Sequence, residues 1–201
     1  MDRQKLIRKP FRARIAPAIL RRIGWLGLKL RPFIIVREGE HTSTSQPAND
    51  DFQYRFITED ELGLLVDFGP NGSLENIQKW IQGGKSCFAV WDGSRLAATM
   101  WCDFRAFNFL PNYRLLDDDE AYLFAAFTHP DYRGHSLAPE MRLHCYEKLR
   151  ELGRTRFCSY TDYYNLAARR FKEKLGARNE QVRLHISLFD HWSRTITLKT
   201  F

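Results

Sequence analysis

From Phe52 to the C-terminus, apolar and polar positions alternate in blocks of strand and helix length. Residues 54–57 predict a strand. Thr58 followed three residues later by Glu61 forms a capping-box pattern, so a helix is expected to about Phe68. Pro70-Asn71-Gly72 predicts a turn, and Ser73 caps a second helix that Gly83-Gly84 stops near Gln82. Residues 86–91 and 95–104 predict two strands joined by Asp92-Gly93, a pair suited to a tight hairpin turn. Residues 107–119 show no period and read as an irregular aromatic loop. Residues 121–128 are almost unbroken apolar, as expected of a strand at the centre of a sheet. A helix is predicted over 137–152, a strand over 156–160, a helix over 166–175, and strands over 182–189 and 195–199. The order β-αα-β-β-β-α-β-α-β-β implies an α+β fold with a mixed sheet, not a doubly wound one.

The first 51 residues follow a different pattern. Ile19, Ile23, Leu26 and Leu30 recur at steps of four, three and four, which predicts a helix over 17–30, with Pro17 suited to its first turn. Pro32 ends it, and Phe33-Ile34-Ile35-Val36 is a short strand candidate. Residues 38–51 are polar apart from Ala48 and read as a linker or exposed loop. The expected organisation is an extension over 1–37, a linker over 38–51 and one domain over 52–201.

Charge sharpens this division. Residues 1–37 hold 11 Lys and Arg against one acid, whereas the remainder holds 20 basic and 23 acidic residues. The overall charge of +7 therefore belongs to a basic arm on a mildly acidic domain, which argues against a nucleic-acid-binding domain. In the first 51 residues the longest candidate apolar runs are 15–20 and 23–28, and no run in the chain approaches the ~18–20 residues that span a bilayer. The N-terminus also lacks the apolar core and cleavage site of a secretory signal, so a cytoplasmic location is expected. Cys87, Cys102, Cys145 and Cys158 are too far apart for a zinc motif and read as reduced core thiols; no metal is expected.

The stretch with most chemistry is Thr128-His129-Pro130-Asp131-Tyr132-Arg133-Gly134-His135-Ser136-Leu137-Ala138, where a buried strand gives way to a helix. Such a junction presents unpaired backbone N–H groups and the positive end of the helix dipole, so it can hold a phosphate. Small residues at 134, 136 and 138 let a ligand approach the backbone, and Arg133 adds charge. An ordinary strand-turn-helix with a surface arginine would read the same way.

Here the chain resembles the GCN5-related N-acetyltransferase (GNAT) superfamily. The resemblance rests on Pro130-Asp131-Tyr132-Arg133-Gly134-His135-Ser136-Leu137-Ala138, with Ser136 where the family usually has Gly. It is supported by Glu151-Leu152-Gly153, by Asn165-Leu166-Ala167-Ala168 and by Lys174-Leu175-Gly176, and covers roughly 52–201. It implies a central mixed sheet, flanked by helices, in which two parallel strands, 122–128 and 157–160, splay apart. It further implies that acetyl-coenzyme A, or a longer acyl-coenzyme A, lies between them as co-substrate. Phe127, Thr128, Arg133, Gly134, His135, Ser136, Leu137, Ala138 and Asn165 are then the residues expected to bind it. The family often places a thiolate-protonating Tyr seven residues after the Asn; position 172 is Lys.

Transfer of the acyl group to an amine needs an uncharged nucleophile and an acid for the leaving sulfur. Tyr160, Tyr163 and Tyr164 are the tyrosines that could supply the acid, as could water. Glu120, His129 and Asp162 are candidates for the base, with Glu120 preferred. The arm mixes cations with Trp25, Leu26 and Leu30, as an amphipathic segment peripheral to an anionic membrane face would, although residues 33–36 could equally add a strand to the sheet. The layout resembles superfamily members of cell-envelope biosynthesis, which favours an amino sugar or a lipid-linked amine as acceptor. Aromatic residues 107, 109 and 113 are expected near the acceptor. The alternative is a non-catalytic module that binds coenzyme A or a partner.

Overall fold

The structure is a computed structural model and describes residues 27–39, 51–109 and 112–201. Its elements are β1 (Leu28–Glu38), β2 (Gln53–Phe56), a 3-10 helix (Glu59–Leu65), α1 (Leu74–Gln82), β3 (Ser86–Asp92), β4 (Arg95–Asp103), β5 (Ala106–Phe109), β6 (Asn112–Leu115), β7 (Glu120–Thr128), a short 3-10 turn (Pro130–Tyr132), α2 (Leu137–Glu151), β8 (Arg156–Asp162), α3 (Leu166–Lys174), β9 (Arg178–Leu188) and β10 (Trp192–Thr200). Eight strands form one mixed sheet in the order β10-β9-β1-β8-β7-β4-β3-β2, and β5 and β6 form a separate hairpin. The α+β class is as expected from the sequence.

Three expectations change. Residues 28–30, read as the end of a helix, begin β1; the rest of that proposed helix, with Trp25 and Leu26, lies outside the described residues. The reason is visible in the pairing: β1 lies between β8 and β9, with Leu30 opposite Ile186 and Ile34 opposite both Thr161 and Val182. Two neighbouring strands satisfy its backbone, which outweighs a helical period interrupted by Gly24 and Gly27. Leu30 is thus a half-buried strand residue, not part of a membrane-inserting helix face. Second, the helix expected after Thr58 is a seven-residue 3-10 helix, although its capping box forms, with the Thr58 N–H donating to Glu61 at 3.0 Å. Third, the aromatic loop contains a hairpin, β5–β6. Phe107 and Phe109 are buried against Tyr122, Phe33 and Tyr160, leaving Tyr113 exposed.

The main core lies where α2 packs on the sheet. Leu137, Met141, Cys145, Tyr146 and Leu149 meet Phe88, Met100, Leu123 and Phe157, all nearly inaccessible. Each large apolar side chain fully buried here contributes ~1.5–3 kcal/mol to folding. All four cysteines are free and buried.

Candidate active site

β7 and β8 are parallel and pair only at their beginnings, Glu120 with Arg156, Ala121 with Phe157 and Tyr122 with Cys158. The cause of the separation lies in β7. Against β4, Thr99 faces Phe127 and Trp101 faces Phe124, so β7 carries one extra residue. Ala125 takes the strain, at φ 48°, inside this bulge. A bulged strand bends, and β7, which pairs with β8 only as far as Tyr122, stands apart from it along the bulged stretch.

The separation opens a cleft of about 500 Å³. One wall is β7 from Leu123 to Thr128 with Ala138 and Met141 of α2. The other is Tyr160, Thr161 and Asp162 of β8 with Asn165, Ala168 and Lys172 from the start and length of α3. Arg142 of α2 and Arg31 of β1 also reach it. Of the expected coenzyme A residues, Phe127, Thr128, Ala138 and Asn165 line this cleft. Arg133, Gly134, His135 and Ser136 form the exposed loop between β7 and α2. Arg133 Nε donates to the Thr128 carbonyl at 3.2 Å, which holds the guanidinium over the end of β7. Gly134 has φ 91° and Ser136 φ 59°, left-handed conformations that turn the chain so that α2 opens towards the loop. Leu137 is a correction in part: its side chain is in the core, so only its backbone can face a ligand. Asn165 caps α3 by accepting the Ala168 N–H at 3.1 Å.

The candidate catalytic residues separate. Asp162 lines the cleft, with its carboxylate accepting the Tyr164 N–H at 3.0 Å. Tyr164 itself is half-buried beside Tyr163 and is not among the lining residues. His129 sits past the end of β7, stacked near Phe68 and accepting the Asp131 N–H. Glu120 lies at the opposite end of β7, where β7 and β8 are still paired. It is buried and bound by Arg114 at 2.5 Å and by the Asp117 N–H at 3.0 Å. Burial alone would raise its pKa, but these partners and Arg156 hold it below the usual carboxylate range. A carboxylate so engaged, outside the cleft, is a poor proton acceptor.

The sequence reading missed a charged cluster behind the cleft. Glu38, at the end of β1, is fully buried. It accepts from Tyr146 and Ser159 and pairs with Arg142 at 3.3 Å and Lys172 at 3.2 Å. Lys172 Nζ also donates to Ser159 Oγ at 2.6 Å and Thr161 Oγ1 at 2.7 Å. Burial would raise the Glu38 pKa, yet the two cations and two hydroxyls pull it down to about 2. For Lys172, burial pushes the pKa down and Arg142 adds to it, while Glu38 restores part, leaving about 8. Strand alternation was the available signal: Ile34, Val36 and Glu38 share the inward face of β1.

Comparison with known proteins decides the family. The Acetyltransferase (GNAT) family model matches residues 52–177, more than half of the chain. The chain belongs to the GNAT family. Solved structures agree on the fold. A putative GNAT acetyltransferase from Novosphingobium aromaticivorans is 15% identical with a TM-score of 0.58, over 81% of this chain and 66% of that one. A GNAT acetyltransferase from Colwellia psychrerythraea is 14% identical with a TM-score of 0.56, over 80% of this chain and 57% of that one. A GCN5-related N-acetyltransferase-like protein from Streptococcus suis is 10% identical with a TM-score of 0.57, over 86% and 67%. The chain thus spans 66% and 57% of the length of the first two. No curated protein matches the chain. β1 lies N-terminal to the family-matched segment, so Glu38 and Arg31 lie outside the residues that the family model matches. Among the described residues no cluster of His, Cys, Asp and Glu could hold a metal, and no helix is long and apolar enough to cross a membrane.

Proposed function

We propose that the protein transfers an acyl group, most simply acetyl, from acyl-coenzyme A to a primary amine. The observation that carries this reading is the opened β7–β8 pair, whose cleft runs along β7 to the loop before α2. A strand that loses its neighbour presents backbone groups that an extended amide-bearing arm can pair with, by the logic of strand addition. The start of α2, with Ser136 exposed and Arg133 beside it, offers N–H groups and positive charge to a pyrophosphate. The fit is steric as well as electrostatic, because Ala125, Ala126 and Ala138 leave room along the wall.

The amine would enter from the β8 side. Asp162 is the carboxylate on the cleft wall, placed to bind an ammonium and then take its proton. The acceptor class in this proposal is an amino sugar or an amine carried on a lipid. The basic residues before Leu28, outside the described residues, would bring the enzyme to an anionic surface where such acceptors reside.

The experiment is release of coenzyme A thiol from acetyl-coenzyme A across a panel of amino sugars, lipid-linked amines and peptide amines. Turnover with the first two groups and not with peptides is the expected result. Binding of coenzyme A with no turnover on any amine would favour a binding module instead.

A further inference from the structure

The hairpin that joins β9 to β10 carries large apolar groups that the described fold leaves in solvent. The Leu188 carbonyl accepts the His191 N–H at 3.1 Å, so Phe189 and Asp190 are the two central residues of a tight turn. Their φ values are 50° and 58°. Glycine, asparagine and aspartate suit such positions; phenylalanine does not, because its Cβ crowds the backbone there. Phe189 is 63% exposed, so burial does not offset the strain. On either side of the turn, Leu188 and Trp192 are cross-strand partners, and Leu28 of β1 lies opposite Leu188. Partners across a ladder share a face, so these three side chains form one apolar row over three strands. Leu188 is 41% and Trp192 51% exposed. An exposed apolar row that ends in a strained aromatic turn is a surface suited to contact.

Charge selects the partner. Among residues 28–32 and 184–196, which form this end of the sheet, Lys29, Arg31 and Arg194 stand against one acid, Asp190, which pairs with Lys29 at 2.6 Å. The basic segment joins the fold here. The Phe189 N–H donates to the Gly27 carbonyl at 2.6 Å, and a Cβ at Gly27 would stand 2.2 Å from the Phe189 ring. The residues before that glycine include eight Lys and Arg and one acid. A second copy of the chain would bring the same positive excess and be repelled. An anionic bilayer is complementary, and Trp and Phe are side chains that settle at its interface. Position matters as well. Phe33 of β1 lies opposite Asp162, and Leu28 is five residues further along, ~17 Å at the rise of a strand. The tip therefore projects past the end of β8, where β7 and β8 have separated and Asp162 lines the cleft.

We propose that Leu188, Phe189 and Trp192 insert shallowly into an anionic lipid surface, so that the docked protein turns the open end of its cleft towards the bilayer. The inference rests on the lipid-linked acceptor of the proposed function, and it names the surface that would bring such an amine within reach. The basic residues before Gly27 supply attraction without orientation. The tip supplies orientation, because it belongs to the same sheet as the cleft.

The test uses the full-length protein and vesicles of phosphatidylcholine, either alone or with about one-third phosphatidylglycerol. Wild type should sediment with the anionic vesicles and not with the neutral ones. Binding should weaken as salt screens it, the Debye length being ~8 Å at physiological ionic strength. Phe189→Asn combined with Trp192→Thr should lower partitioning by ~10-fold or more. Asn accepts the left-handed turn and Thr suits an edge strand, so Tm should stay within about 4 °C of wild type. Turnover of a soluble amino sugar should stay within about threefold, whereas turnover of a vesicle-borne amine should fall with binding. Equal partitioning of variant and wild type would overturn the proposal, since the basic segment alone would then account for binding. So would wild-type protein that stays in the supernatant with anionic vesicles at low salt, or a wild-type dimer that the double variant converts to a monomer. A Tm lowered by more than about 4 °C would overturn it too, by showing the tip packed within the chain. These outcomes leave coenzyme A binding untouched; failure of wild-type protein to bind coenzyme A would instead bring down the acyl-transfer reading itself.

Discussion

The two walls of the cleft are built by different means. The β7 wall is mostly apolar, with small residues at Ala125, Ala126 and Ala138, and what it offers a ligand is backbone: a strand freed beyond Tyr122 and the start of α2 after Ser136. The β8 wall is backed by charge, with Glu38, Arg142 and Lys172 removed from water and tied to Ser159, Thr161 and Tyr146. A backbone wall tolerates changes of side chain as long as they stay small. A wall of buried charges does not, since removing one member leaves the others unpaired. The division also follows the chain. The first wall lies wholly within the family-matched segment, and the second depends on a residue N-terminal to it.

The contrast is broken most directly at Glu38. Glu38→Ala leaves two buried cations facing each other and should destabilise the fold by ~3–5 kcal/mol, read as a shift in the urea midpoint. The wild type should show the same dependence in its pH profile. The Glu38 pKa is about 2 in the folded protein and about 4.3 in an unfolded chain. The stability it contributes is therefore full above about 4.3 and is lost as pH falls towards 2. Lys172 acts in the opposite sense, since its folded pKa of about 8 lies below the unfolded ~10.4. Between those values the unfolded chain binds more protons, so this group makes stability rise with pH. Lys172→Met should abolish that rise.

On the backbone wall the corresponding change is Ser136→Asp. Asp accepts a left-handed conformation, so the fold should hold while the carboxylate repels phosphate at the start of α2. A loss of coenzyme A affinity of roughly 10–100-fold, ~1.4–2.8 kcal/mol by calorimetry, is expected. Unchanged affinity would remove this loop from the site.

The same division explains what the sequence made legible. The β7 wall was readable because its signal is local: an apolar run, a loop of small residues and a helix within some twenty positions. The splay itself followed from the family resemblance, whereas its cause, an extra residue in β7 against β4, is a pairing fact that no single segment carries. The charged cluster was not readable because its members come from β1, α2 and α3. Nothing in the spacing of Glu38, Arg142 and Lys172 announces that they meet. Glu38 reads as the first residue of a polar linker until β1 is known to sit between β8 and β9. Phe107 and Phe109 misled for the converse reason. An aromatic stretch without period reads as an irregular loop near the acceptor, but the β5–β6 hairpin folds Phe107 and Phe109 onto Tyr122 and Phe33.

Glu120 provides a smaller test of where the chemistry lies. It stands on β7 but belongs to neither wall, locked by Arg114 and the Asp117 N–H at the closed end of the strand pair. Glu120→Gln weakens a buried charge-assisted contact and should cost about 1–2 kcal/mol in urea denaturation. Its lowered pKa means this contribution is present above the ordinary carboxylate value and fades on acidification. Turnover should stay within about threefold of wild type. A loss of ~10²-fold in kcat at unchanged stability would return Glu120 to the mechanism and move the chemistry away from the cleft.

Ser136→Gly asks whether the backbone wall depends on its side chains at all. A non-glycine residue at φ 59° costs roughly 1–2 kcal/mol relative to a right-handed conformation. Glycine removes that cost but gains ~0.5–1 kcal/mol of unfolded-chain entropy to be lost on folding. Replacing a cap serine would ordinarily add a further penalty, but Ser136 makes no side-chain cap hydrogen bond to α2, so none is lost. The balance is a stabilisation of about 0.5 kcal/mol, visible as a small rise in Tm. Coenzyme A affinity should stay the same or tighten by up to about threefold, because the N–H groups at the start of α2 keep their places and the loop gains room. A clear weakening would show that the Ser136 hydroxyl itself contacts the ligand, and the contrast between a backbone wall and a side-chain wall would then no longer hold at this end of the cleft.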